Sequence, residues 1–286
     1  LSTYELWDDL ISLSATSYLE PTDKFDEQIK RQRYLGRAYF GKGQADKGRE
    51  LLALLEKQLA GEKMAQDKAG AAARAKLEAP AKKAPVKKVP AKKAADDKAE
   101  GKPAAEKSDA KKSKAKNTDA KNNKNKTAKK PDKKAIKKAV DAARKPFAAK
   151  VRTLERAVQE LQGHVALTEK SEKKAKEALD LFKKAGGIDS SFLAFVQLAA
   201  GDGKAAEKAL RDHAARRVGE VQPRARLVEL LWRRGKKKEA EKEIKDLRKM
   251  SGSIDITSPV FARLAPVAKE ADLPENWRID QVVRAD

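Results

Sequence analysis

The chain contains no cysteine, which excludes disulfides, thiolate metal sites and cysteine nucleophiles. It contains no apolar run of about 18 residues, so no helical membrane span is expected. Histidine is scarce too. His164 and His213 are the only two, and neither has a carboxylate or a second histidine at ligand spacing on its helical face. Both are therefore read as solvated helix histidines, outside metal binding and general-base work. The three Trp, four Tyr and seven Phe all lie outside residues 64–135, so that stretch cannot build a packed interior. Neither an initiating Met nor a signal-like start is present, and residue 1 is read as a cut end of something longer.

Positive charge, by contrast, is plentiful and unevenly spread. Of a net +23, residues 63–135 hold 24 basic side chains against 9 acidic ones, a surplus of +15. Most of the excess thus belongs to one segment and says little about the folded surface. At 286 residues the chain can hold one or two domains with a real core.

The organising pattern lies between Ser190 and Met250. Gly201 is preceded by Leu193 and Ala194 and followed by Ala206, Leu210 and His213. Gly235 is preceded by Leu227 and Val228 and followed by Ala240, Ile244 and Leu247 at the same offsets. The two glycines are 34 residues apart, a period that marks a helix–turn–helix stack. The same template recurs around Gly43, where Leu35-Gly36, Tyr39, Gly48, Leu52 and Leu55 take the corresponding slots.

Taken in order, Tyr4 to Leu13 reads as a short amphipathic helix around Trp7. Thr22 or Asp23 is expected to cap the next helix, which runs through Phe25, Ile29 and Tyr34 to Phe40. A long helix then starts near Ala45 and meets no strong stop before Pro80. Its counterpart is Lys133 to Leu167, where Ile136, Val140, Ala143, Phe147, Val151, Leu154, Val158, Leu161 and Val165 form one continuous stripe. Matching lengths predict an antiparallel pair, with Pro146 as an expected kink. Ser171 to Ala185 reads as a helix closed by Gly186-Gly187. Ser258-Pro259 opens a single last helix through Phe261, Leu264 and Val267, with Trp277 packing back as a cap.

In its turn glycines, small residues and apolar offsets the chain resembles the tetratricopeptide-repeat family over Gln28–Leu59 and Ser190–Met250. The small residues meet a physical need, since they let the two helices of a pair approach closely. The resemblance implies a concave groove lined by Lys30, Arg33, Arg37 and Phe40, then Phe195, Leu198, Glu229, Trp232 and Arg233. It further implies a protein or peptide partner, with the arginines suited to an acidic or C-terminal peptide.

Residues 79–131 are Lys, Ala, Pro, Asn and Asp with almost no large apolar side chain, and are expected to be disordered and self-repelling. Pro80 to Lys93 resembles the lysine-alanine-proline tails of linker histones. Through Lys82, Lys83, Lys87, Lys88, Lys92 and Lys93 it would bind nucleic acid or another polyanion without base specificity. Ser258 to Trp277 is similar to helical appendages of bacterial multidomain proteins, some of which carry a redoxin domain.

Little points to catalysis. Gly43 to Glu50 has the glycine spacing of a phosphate loop but lacks its Lys-Ser/Thr ending and any preceding strand. Adjacent carboxylates such as Asp8-Asp9 face apart on a helix. The expectation is a non-catalytic scaffold for protein–protein interaction without a cofactor. Its fold is an all-α, tetratricopeptide-like helix–turn–helix array interrupted by a basic insert. Its parts are a helical unit at 1–62, a helix extension at 63–78, the insert at 79–131, and a second helical region with a capping helix at 132–286.

Overall fold

The computed structural model describes residues 5–79, 132–252, 258–274 and 276–278. Among these the regular structure is entirely helical: α1 (Trp7–Leu13), α2 (Phe25–Gly41), α3 (Ala45–Glu78), α4 (Lys133–Leu167), α5 (Glu172–Ala185), α6 (Ser190–Ala199), α7 (Gly203–Arg216), α8 (Val221–Arg233), α9 (Lys237–Ser251), α10 (Pro259–Ala262) and α11 (Ala265–Glu270). No described helix is long and apolar enough to cross a membrane. Of the stretch 79–131 expected to be disordered, all but residue 79 lies outside the described residues, Lys82 to Lys93 included.

Helix starts follow local chemistry. Ser171 Oγ accepts from the Lys174 amide, Asp189 Oδ1 from Phe192 and Asp202 Oδ1 from Ala205, each satisfying a first-turn donor. The expected cap of α2 is corrected. Lys24 occupies that position with no side-chain bond. Thr22 Oγ1 instead accepts from the Lys24 amide two residues on, while Gln28 Oε1 accepts from the Thr22 amide. The single last helix is corrected as well. It is broken into α10 and α11, because Pro266 has no N–H to offer Ala262 and its ring would collide with that carbonyl.

Helices α3 and α4 lie antiparallel. Glu56 meets Gln162 (2.9 Å), Lys63 meets Glu155 (2.8 Å) and Asp67 meets Arg144 (2.8 Å), so residue numbers rise on one helix as they fall on the other. The main remaining neighbours are consecutive helices, with α2 also against α4, α6 against α8 and α8 against α10. Four helix pairs result, α2/α3, α4/α5, α6/α7 and α8/α9.

Apolar layers run along these pairs. Ile29 and Leu55 pack with Leu154, Ala157 and Leu161. Phe182 follows with Ala166, Ala178 and Val196. Leu210 then joins Leu227, Leu230 and Leu231. The last layer sets Val228, Ile244 and Leu247 against Phe261, Leu264, Val267 and Trp277. Trp277 is 4% exposed and meets Phe261 edge to face at 6.0 Å, so it packs back onto this layer as expected. Each fully buried Leu or Phe contributes about 1.5–3 kcal/mol, against about 0–1 for an exposed ion pair, so these layers hold the fold.

Candidate functional site: the face of the first helices

What positions the first helix of each pair is the turn that follows it. Gly43, Gly201 and Gly235 have φ of 74°, 84° and 73°, the left-handed region that costs glycine nothing. Each makes the same two bonds. The glycine N–H donates three residues back, to Phe40, Leu198 or Trp232, and the next N–H donates five back, to Tyr39, Gln197 or Leu231. This Schellman closure satisfies carbonyls that a helix end leaves open. It also sets the same exit direction three times.

The same two bonds recur after α11 at Asp272 (φ 50°), whose N–H donates to Lys269 and the next N–H to Ala268. After α4, where sequence reasoning placed no turn, only the first of them is made. Lys170 adopts φ 49° without being glycine, and its N–H donates to Leu167. Counted from Lys170, Gly163 takes the slot of Gly36 and Ala194, and Ala175 takes that of Gly48, Ala206 and Ala240. The small residues do what the spacing demands. A Cβ at Gly36 would stand 2.7 Å from the Leu161 methyls, one at Gly48 2.6 Å from the Phe40 ring, and one at Gly163 2.7 Å from Phe182.

On this face α2 and α4 are joined by charge. Glu160 is fully buried on α4. Its Oε2 accepts from Arg33 Nε (2.8 Å) and Arg33 Nη2, and its Oε1 stands 3.5 Å from Arg37 Nε, an ion-pair rather than hydrogen-bond approach. Arg33 and Arg37, expected to line a groove, thus share an internal carboxylate. Phe40 is half-buried and stacks on His164 at 5.7 Å. Lys30 is exposed, with its ammonium 5.9 Å from the Tyr34 ring. It borders an open hollow of about 790 Å³ between α1, the following loop and α2.

The expected solvation of His164 is corrected. Its ring is enclosed by Phe40, Phe182 at 5.1 Å and Phe192 at 5.2 Å. Burial first, and the nearby Arg37 charge second, push its pKa from 6.5 down to about 3. It is a neutral member of an aromatic cluster, reached because Gly163 beside it brings Phe182 close. His213 is half-buried, with Nδ1 2.6 Å from Ser190 Oγ.

A second charged cluster stands between α6 and α8. Two guanidinium groups stand over the Phe195 ring, Arg226 at 5.1 Å and Arg233 at 5.3 Å from its centre. Buried Glu229 accepts from both, Oε2 from Arg226 (3.0 Å) and Oε1 from Arg233 (2.7 Å). Trp232 is half-buried, donates Nε1–H to Glu270 Oε2 (2.7 Å) and lies under the Lys237 ammonium. Leu198 packs against the layer of Leu210 and Leu230. The structure therefore brings Phe195, Glu229 and Arg233 into one cluster and leaves Lys30 to Phe40 in another.

Two members of the second cluster were not foreseen. Glu5, ahead of α1, pairs its carboxylate with Arg226 on α8 and with Arg263 beyond α10. No local pattern announces a contact between residues 221 positions apart. No group of three or more metal-type ligands is assembled among the described residues. No protein-family model, curated protein or solved structure matches the chain.

Proposed function

We propose that the chain is a non-catalytic scaffold of the tetratricopeptide kind, which binds a partner protein or peptide along its first helices. The observation that carries this reading is the recurrence of one turn geometry at Gly43, Gly201 and Gly235, with Lys170 as a variant. Identical exits align successive pairs, and aligned pairs present a continuous face built for extended ligands rather than an enclosed reaction site. Phe195, Arg226, Glu229 and Arg233 supply that face with an aromatic anchor and guanidinium donors, the residue types that dominate interface energy. An acidic segment suits them. A pull-down from lysate at about 0.15 M salt, with wild type against a Phe195→Ala/Arg233→Glu double variant, tests the reading. Retention of a discrete protein by wild type alone is expected; identical capture by both chains refutes it.

A second reading is polyanion binding. The α4 end nearest residue 131 exposes Lys133, Lys134, Lys137 and Lys138, so the basic composition of 79–131 continues onto a described helix. If about eight phosphates were engaged on duplex DNA, log affinity would fall with log salt at a slope of about −7. Gel shifts that survive deletion of 79–131 and neutralisation of these four lysines refute it.

A further inference from the structure

We infer that Arg226 and Arg263 form a carboxylate seat on the first-helix face, and that Glu5 is its tethered occupant, to be exchanged for an acidic side chain of a partner. This rests on the scaffold reading and adds how the face is regulated. Arg226 is 5% exposed, held between Phe195 and Glu229, and Glu229 already divides its two oxygens between Arg226 and Arg233. Without Glu5 the cluster keeps three guanidinium groups against one carboxylate. A buried guanidinium with too few acceptors is strongly disfavoured, so the seat empties readily only when another anion enters. The ligand chemistry follows directly: a carboxylate, presented on a segment thin enough to lie where residue 5 lies.

The arm bearing Glu5 is short and strained at its tip. Its helix α1 has seven residues and no side-chain cap. Its described hold on α2 is Trp7 against Gly41, the buried Leu10 and the exposed pair of Asp8 with Lys42 (2.8 Å). Glu5 itself sits at φ 59°, a conformation that costs a non-glycine residue free energy and that the seat must repay. An arm anchored on α2 thus crosses to α8 and the segment after α10, and closes the face with the chain's own acid.

The test uses the whole 286-residue chain and a fluorescein-labelled hexaglutamate peptide. Glu5→Gln is expected to tighten peptide binding at least about tenfold, since a seat that Glu5 fills about nine-tenths of the time or more binds at about one-tenth strength or less. Arg263→Gln, at the more exposed end of the seat, is expected to abolish that gain when combined with Glu5→Gln. Because the chain has no cysteine, Asp9→Cys with Lys238→Cys accepts a spin-label pair cleanly. Their narrow distance distribution should broaden on adding hexaglutamate and in Glu5→Gln. Equal peptide affinity in wild type and Glu5→Gln, or an arm unmoved by both, overturns the exchange. Arm release without a gain in affinity also overturns it while leaving the scaffold standing, since that falls only with the lysate capture.

Discussion

Glu160 shows how one side chain can tie two helices together. Both Arg33 and Arg37 address it from α2, and it has no water to fall back on. Glu160→Gln keeps the shape and removes the charge, leaving two guanidinium groups facing a neutral amide. Loss of one member of a buried pair costs about 3–5 kcal/mol, and the low end is expected here because Arg33 keeps partial contact with water. Urea unfolding should show it as a lower midpoint with an unchanged slope. His164 gives a pH signature. Its folded pKa lies below the unfolded value of 6.5, so the unfolded chain takes up a proton that the folded one refuses. Stability is therefore full above pH 6.5 and falls as pH drops toward 3, by about 1.5 kcal/mol between 6.5 and 5. His164→Phe should flatten that window, as thermal melts across pH 5–7 would record. If the variant's slope matches that of wild type, His164 is not the group responsible.

At the scale of elements, the turns make paired predictions of opposite sign. Gly235 has open space around it, so Gly235→Ala tests conformation alone and should cost about 1–2 kcal/mol. Lys170 holds the same left-handed conformation without glycine, and Lys170→Gly should gain about 0.5–1 kcal/mol net of glycine's extra unfolded freedom. Chemical denaturation of both variants checks the contrast; two changes of one sign would defeat it. The same residue explains what was legible. Helix α4 could be read to its ends because its apolar intervals never break step. The α4/α5 pairing could not, because Lys170 carries a glycine's geometry with none of a glycine's signal. The α10–α11 break was written in Pro266 yet outweighed by the periodicity of Phe261, Leu264 and Val267. For the residues expected to line a groove, the side-chain partners were not legible. That Arg33 faces Glu160 and Arg226 faces Glu5 depends on separations of 127 and 221 residues, which no window captures.

For the whole molecule, the expectation that 79–131 is disordered has a thermodynamic consequence. A segment that packs nowhere contributes only closure entropy, which falls by about 0.6 kcal/mol with each halving of length. Replacing 79–131 with a loop of about six Gly and Ser residues should therefore raise stability by about 2 kcal/mol. A measured decrease would mean that the segment contributes packing of its own.

The layer that joins Ile29 and Leu55 to Leu154 and Leu161 sets a timetable for biosynthesis. The N-terminal pair leaves the ribosome with one side of its interior bare, and the residues that cover it are translated roughly a hundred codons later. At about 5–20 residues per second the nascent chain waits about 5–20 s before it can finish its first folded unit. A chaperone that shields oily surface during synthesis has its natural opening in that interval. By the same logic, a cut between the two halves would yield pieces that purify together, held by the layer around Leu55 and by the charged contacts that α2 and α3 make with α4.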